Sequence, residues 1–300
     1  MQNVRELMIK KAGEMLSSGE VYGVLAWERG DFACDQTPAL FTSPESLSRL
    51  AYDEFTAPML SKYLINEAKK PNEGKKVMVF LKPCDTYNFG HLLSEHKVER
   101  DRVYAVGVAC SGIFSREKTL LEKCLACKGM EFHHCDEVIG GEGKITWDKL
   151  DRFAGVEMIE SMTPSERFEF WRGELSRCIR CNACRNVCPV CSCVKCVFDN
   201  PGSGVMSKSN ADEFEENMFH IIRAFHVAGR CTDCGECSRV CPRNIPLHLL
   251  NRKFIKDVNA LFGPYQAGAS LDDASPLTSY SVNDPEPGYK DKAKGGERVA

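Results

Sequence analysis

One cysteine pattern occurs twice in this chain and limits what the chain can fold into. Residues 178–189 read CIRCNACRNVCP and residues 231–242 read CTDCGECSRVCP, so both fit C-x₂-C-x₂-C-x₃-C-P. A tightly turning segment with this spacing brings thiolates around one small volume, as an iron–sulfur cubane requires. Two intact copies, each with its proline, predict two [4Fe-4S] clusters. They use eight of the 17 cysteines and leave nine to explain.

The fourth cysteine of each motif is expected to bind the cluster of the other motif, as in two-cluster ferredoxins. The first predicted ligand set is Cys178, Cys181, Cys184 and Cys241. The second predicted ligand set is Cys231, Cys234, Cys237 and Cys188. A pair of zinc knuckles is the alternative, although zinc sites more often use two CxxC pairs or histidines.

Residues 165–255 resemble two-cluster ferredoxin modules. The long connection between the motifs, residues 189–230, has helical character and is similar to the α-helical ferredoxin domains of heterodisulfide reductase and fumarate reductase iron–sulfur subunits. The resemblance implies a mainly α-helical dicluster domain. It gives no role to Cys191, Cys193 and Cys196, which we interpret either as small buried apolar side chains or as a further metal or redox-thiol site.

Four more cysteines lie upstream, close to predicted strands. Residues 75–85 and 102–112 each run from an apolar strand into a cysteine-bearing turn, KPCD or VACSG, and a CxxC follows in KCLACKG. Strands separated by a helix predict an α/β domain, in which sites lie at the carboxyl ends of the strands. The candidate ligands of a third cubane are Cys84, Cys110, Cys124 and Cys127.

Two other interpretations of these cysteines stay open. One is a tetrahedral zinc site with the ligands Cys124, Cys127, Cys135 and either His133 or His134. The other is a set of unconnected buried thiols. Cys135 is also a candidate replacement for any ligand of the third cubane, and Cys34 is expected to be a strand residue with no partner.

The upstream region resembles the beta-subunit family of deazaflavin-reducing hydrogenases and dehydrogenases. The KPCD turn, the VACSG turn and the CxxC followed by IGGE carry the resemblance, over residues 75–143. In that family such cysteines accompany iron–sulfur and flavin chemistry, which implies a third cluster at the four cysteines and FAD as a further cofactor. The chain departs from the family at Cys135, where a small residue is usual, and it is short where a flavin site would be completed.

The chain divides into three predicted parts. Residues 1–160 are expected to form the α/β domain, with residues 44–69 largely helical and broken before Pro58. Residues 161–262 are expected to form the dicluster domain, which opens with a capping box in TPSE, 163–166. Residues 263–300 are rich in Gly, Pro, Ser and charge and predict an extended or disordered tail.

Composition excludes several classes of protein. A formal net charge of −3 gives no broad basic surface for nucleic acid. Neither a signal peptide nor an apolar run of membrane-spanning length is recognisable. We therefore expect a cytoplasmic protein, in which clustered cysteines bind metal rather than form disulfides.

These features together predict an iron–sulfur electron-transfer subunit of a cytoplasmic anaerobic oxidoreductase complex, such as a hydrogenase, a formate dehydrogenase or a heterodisulfide-reductase-like complex. It would relay electrons between a flavoprotein or catalytic metallo-subunit and its partner. No catalytic residue is predicted. One alternative is an FAD-binding subunit that itself oxidises or reduces a deazaflavin or a similar hydride carrier. Another is a small reductase with a metal site at residues 124–135.

Overall fold

The first half of the chain contains a five-stranded mixed sheet. The computed structural model describes residues 2–32, 34–72, 74–141, 143–199 and 213–278. The strands are β1 (Val21–Arg29), β2 (Gln36–Phe41), β3 (Lys76–Leu81), β4 (Val103–Val108) and β5 (Glu137–Ile139). Their order is β2-β1-β3-β4-β5, with β1 and β2 antiparallel and all other neighbours parallel. The apolar strands β3 and β4 are buried almost throughout, as is usual for the strands of a parallel sheet.

The described part of residues 2–160 contains five helices besides the sheet, which confirms an α/β N-terminal part. They are α1 (Gln2–Ser18), α2 (Ser61–Glu67), α3 (Pro83–Ser94), α4 (Glu122–Leu125) and α5 (Ala154–Glu160). The helix α3 connects β3 to β4, and its first residue is Pro83, a favoured residue at that position. Cys84 consequently lies in the first turn of a helix rather than in a loop.

Two predictions for this domain are wrong. Residues 44–69 form only a 3₁₀ turn, Glu45–Arg49, and the helix α2, because the carbonyls of Ala57 and Pro58 turn towards the Lys82 ammonium instead of continuing a helix. Cys34 lies in the turn between β1 and β2, not in a strand, and its Sγ is 3.3 Å from Nε of Arg116.

The second half contains helices and no strand among its described residues. The helices are α6 (Pro164–Ser176), α7 (Ala183–Val187), α8 (Glu213–Val227), α9 (Glu236–Arg239) and α10 (Leu247–Phe262). The predicted capping box is present at the start of α6, where Thr163 Oγ1 accepts from the Glu166 amide and the Glu166 carboxylate accepts from the Thr163 amide. In the described ranges, no helix is both long and apolar enough to cross a membrane.

Residues 230–236 contact the N-terminal domain through charged and polar side chains. Glu236 pairs with Lys123 at 2.5 Å, and Arg230 Nη2 lies 2.7 Å from the Glu95 carboxylate. Residues 263–278 are the start of the predicted tail, and they contact the N-terminal domain. His134 Nε2 is 3.2 Å from the Gly268 carbonyl. Residues 279–300 lie outside the described residues, and the domain boundaries stay predictions.

Candidate metal centres

The two cysteine motifs have the same backbone conformation. In each, the second residue after the first cysteine has a positive φ, 53° at Arg180 and 57° at Asp233. This turns its amide towards the preceding thiol, so that N lies 3.4 Å from Sγ of Cys178 in one motif and of Cys231 in the other. A short helix, α7 or α9, then begins at the equivalent position. The repeated spacing therefore produces a repeated loop with N–H donors directed at sulfur.

Cys188, the last cysteine of the first motif, faces the three leading cysteines of the second motif. Burial, the Asp233 carboxylate and the Cys188 thiolate together raise the pKa of Cys231 to about 12. Burial raises the pKa of Cys234 and Cys237 as well, and Cys188 contributes to both shifts. Cys188 thus acts electrostatically on all three cysteines with which it is predicted to share a cluster.

Cys241, the last cysteine of the second motif, faces the first motif. Burial raises the pKa of the Cys184 thiol, and the Cys241 and Cys181 thiolates raise it further. Cys178 and Cys241 both pack against one apolar cluster that includes Cys184. Cys181 is solvent-exposed. These contacts are those expected if Cys241 shares a cluster with the first motif, and the exchanged ligand sets stay a prediction.

The four upstream cysteines line one cavity. Cys84 lies at the start of α3, and Cys110 lies two residues after the end of β4. Cys124 lies in α4, and Cys127 lies two residues after its end. Cys234 of the second motif also lines this cavity. Because β3 and β4 are parallel neighbours, their carboxyl ends bring Cys84 and Cys110 to the same edge of the sheet.

Two buried lysines lie beside this cavity. Burial raises the pKa of Cys84 to about 12, and the ammonium groups of Lys123 and Lys82 oppose the rise. Lys82 is fully buried, its Nζ is 2.9 Å from the Pro58 carbonyl, and burial lowers its pKa to about 8. Four thiols with nearby cations fit an anionic iron–sulfur cluster, since the cations offset thiolate charge in a largely buried site.

The zinc interpretation requires Cys135 and a histidine beside Cys124 and Cys127. Cys135, His133 and His134 are not among the described residues that line the cavity. Instead, the Cys135 thiol lies 3.6 Å from the His133 carbonyl. In the described ranges, no group of three or more His, Cys, Asp or Glu side chains is arranged to hold a single metal ion. The thiolates of a cubane bind different iron atoms and stand farther apart than the ligands of one ion.

The three cysteines that follow the first motif share a separate cavity of about 410 Å³, lined by Cys191, Cys193 and Cys196 among others. The Cys191 and Cys188 side chains interact, which lowers the pKa of Cys188 and raises that of Cys191. Lys62 Nζ lies 2.5 Å from the Cys191 carbonyl. Cys191 is therefore a direct neighbour of a predicted cluster ligand.

Sequence reasoning missed three polar residues that contact these centres. Asn251, from α10, has Nδ2 3.8 Å from Sγ of Cys237. Glu236 directly precedes Cys237 and is fully buried between Lys123 and Arg239. Arg223, from α8, reaches cysteines of both motifs. Glu236 could have been found from the sequence, because it is a charged residue next to a motif cysteine. Asn251 and Arg223 could not, because they come from helices distant in sequence.

Comparison with known protein families identifies the region around the two motifs. Residues 174–245 match the family of 4Fe-4S dicluster domains, and the match includes all eight motif cysteines. This region is a 4Fe-4S dicluster domain. A putative ferredoxin-3 from Sinorhizobium fredii is also similar: it is 33% identical over 24% of this chain and 70% of its own length.

Two relatives extend the similarity to most of the length of this chain. The beta subunit of an F420-dependent formate dehydrogenase from Methanocaldococcus jannaschii is 23% identical over 81% of this chain and 86% of its own. The beta subunit of F420-dependent formate dehydrogenase 1 from Methanococcus maripaludis is 24% identical over 87% of this chain and 89% of its own. Since F420 is a deazaflavin, this homology confirms the predicted resemblance to beta subunits of deazaflavin-linked enzymes.

A chain of the F420-reducing [NiFe] hydrogenase complex from Methanosarcina barkeri overlaps 37% of this chain and 43% of its own. The TM-score is 0.29 and the identity 18%. The overlap is too partial for a comparison of the folds.

Proposed function

We propose that this chain is an iron–sulfur electron-transfer subunit of an anaerobic oxidoreductase complex and that it carries three [4Fe-4S] clusters. The proposed ligands of the first are Cys178, Cys181, Cys184 and Cys241. The proposed ligands of the second are Cys231, Cys234, Cys237 and Cys188. The proposed ligands of the third are Cys84, Cys110, Cys124 and Cys127.

The observation that carries the proposal is the cavity in which the four upstream cysteines meet Cys234. A cluster in that cavity would be adjacent to the cluster of the second motif. The second cluster would in turn be adjacent to the first, because the thiolate of Cys184, a proposed ligand of the first cluster, raises the pKa of Cys237, a proposed ligand of the second. The order of the electron path is then the third cluster, the second cluster and the first cluster, which reaches the surface at exposed Cys181.

When bound, the clusters would supply one-electron chemistry. The residues of this chain would hold the clusters at fixed separations and set their potentials. The amides of Arg180 and Asp233 donate towards Sγ of the first cysteine in each motif, and such donors stabilise the reduced, more negative cluster. At the third centre, the buried ammonium groups of Lys82 and Lys123 act in the same direction by charge.

The relatives suggest the surroundings of this electron path. Their names describe beta subunits of F420-dependent formate dehydrogenases. We infer that this chain likewise assembles with a flavoprotein or a catalytic metallo-subunit, in the cytoplasm. FAD bound by this chain is the further cofactor that the resemblance implies, and flavin content distinguishes a relay from a subunit that reacts with the hydride carrier itself.

Reductive titration of the isolated, anaerobically purified chain tests this function. We expect uptake of about three electrons per chain, one for each cubane, and no oxidation of formate, hydrogen or a reduced deazaflavin by the chain alone. Cys110→Ala is expected to take up about two electrons. Cys34→Ser, at a thiol outside all three groups, is the matched control and should keep the full uptake. If the isolated chain turned over a hydride carrier, the chain would be an enzyme and the proposal of a non-catalytic electron-transfer subunit would be wrong.

A further inference from the structure

Arg223 lies between the two groups of motif cysteines. It projects from α8, and only 4% of the residue is exposed to solvent. Its Nη2 donates to the Cys184 carbonyl at 3.0 Å. Its charge also acts on cysteines of both groups: Cys184 in the first, and Cys188 and Cys237 in the second. A single guanidinium therefore contacts or influences both predicted cluster sites.

The charge of Arg223 has no carboxylate partner among the described residues, and its Nε has no hydrogen-bond partner there either. A buried cation without compensation is unfavourable, and native proteins avoid it by pairing. The anionic groups with the largest effect on Arg223 are the thiolates of Cys188, Cys191, Cys237 and Cys184. The guanidinium therefore fits a site in which negative clusters supply the missing charge and the missing acceptor.

Two other arginines near the first motif differ from Arg223. Arg177, which directly precedes Cys178, is exposed and pairs with Glu174. Arg185 pairs with Asp199 at 2.6 Å. Their charges are already compensated by carboxylates, and Arg177 is also screened by solvent. Arg223 thus combines burial with an uncompensated charge and with access to both cluster sites.

We propose that Arg223 is a positioning residue that electrostatically couples the two clusters of the dicluster domain. The inference rests on the proposed function. Each cluster gains one electron when it is reduced, and its negative charge increases. A fixed, permanently protonated guanidinium between the clusters stabilises the electron on either one and offsets the repulsion between two reduced clusters. No proton needs to move. Arg223 would thus allow both clusters to hold an electron at similar potentials.

Redox titration of the full chain, followed by electron paramagnetic resonance, tests the proposal. Arg223→Gln removes the charge and keeps a hydrogen-bond donor. We expect it to disfavour reduction of both dicluster centres by at least about tenfold, which is a shift of about 59 mV to more negative potential for a one-electron couple. The interval between the two midpoints should also widen. The third cluster is an internal control, because none of its proposed ligands is among the groups with the largest effect on Arg223.

Two further variants complete the test. Arg223→Lys keeps the charge but not the planar fork, so its potentials should lie between those of the parent and of Arg223→Gln. Arg177→Gln, beside Cys178 but exposed, should leave all midpoints nearly unchanged. Parent potentials in Arg223→Gln, or a shift of only one dicluster centre, would contradict the coupling. So would loss of iron from both Arg223→Gln and Arg223→Lys, because keeping the charge would then not help and Arg223 would be only structural.

The iron content of the parent chain separates this proposal from the proposed function. If the dicluster domain of the parent chain holds no iron, the electron-transfer function itself fails. If both clusters are present and their potentials do not depend on Arg223, only the coupling is wrong.

Discussion

Replacing Cys188 by alanine is expected to remove the cluster of the second motif and to leave the cluster of the first motif in place. Cys188 belongs to the first motif in sequence, but it faces Cys231, Cys234 and Cys237 in the structure. Loss of one thiolate from this buried group leaves a cubane with three ligands. The iron content should therefore fall by about four atoms per chain, one cubane, with loss of the corresponding paramagnetic resonance signal.

Double variants show which cysteines share a cluster. Cys188→Ala combined with Cys231→Ala should lose no more iron than Cys188→Ala alone, since both residues belong to one site. Cys188→Ala combined with Cys178→Ala should lose about eight iron atoms, because two cubanes are affected. Cys191→Ala, three positions along the chain, is the matched control and should keep all the iron. If the two double variants gave reversed iron contents, the ligands would not be exchanged between the motifs.

Replacing Glu236 by glutamine is expected to destabilise the contact between the two halves of the protein. The Glu236 carboxylate is fully buried, 2.5 Å from the Lys123 ammonium and 2.6 Å from the Arg239 guanidinium. These two cations hold its pKa at about 2, although burial alone would raise it. Glutamine would leave buried positive charge without compensation, so the free energy of unfolding should fall by about 3–5 kcal/mol.

Thermal unfolding under anaerobic conditions measures this effect. Glu169→Gln is a suitable control, because Glu169 also pairs with an arginine three residues away, Arg172, but both side chains are about half exposed. An exposed pair of this kind contributes at most about 1 kcal/mol. Equal destabilisation by the two variants would show that the Lys123–Glu236 contact does not join the domains as described.

Much of the metal chemistry could be predicted from sequence because it depends on local spacing. The C-x₂-C-x₂-C-x₃-C-P motifs fix both the turn and the N–H groups directed at sulfur. The grouping of Cys84 with Cys110 could also be predicted, because both follow apolar strands and such strands end at the same sheet edge. The position of Cys234 on the same cavity could not be predicted, because it depends on how the two halves pack.

The wrong helix prediction and the contacts that were not predicted have a common physical origin. The helical pattern of residues 44–69 is overridden because buried Lys82 requires acceptors, and the carbonyls of Ala57 and Pro58 provide them. Lys123–Glu236 joins residues 113 positions apart, and Arg223 reaches Cys184 across 39 positions. Contacts of this kind arise from tertiary packing, and no local pattern in the sequence specifies them.

The central claim is that a third cluster extends the electron path of the dicluster domain into the N-terminal domain. The most direct test measures iron, acid-labile sulfide, zinc and flavin per chain after anaerobic purification of the parent and of Cys110→Ala. The account predicts about 12 iron atoms in the parent, about eight in the variant, and no zinc. About eight iron atoms in both proteins, with or without one zinc, would confine the electron path to the dicluster domain and contradict the account.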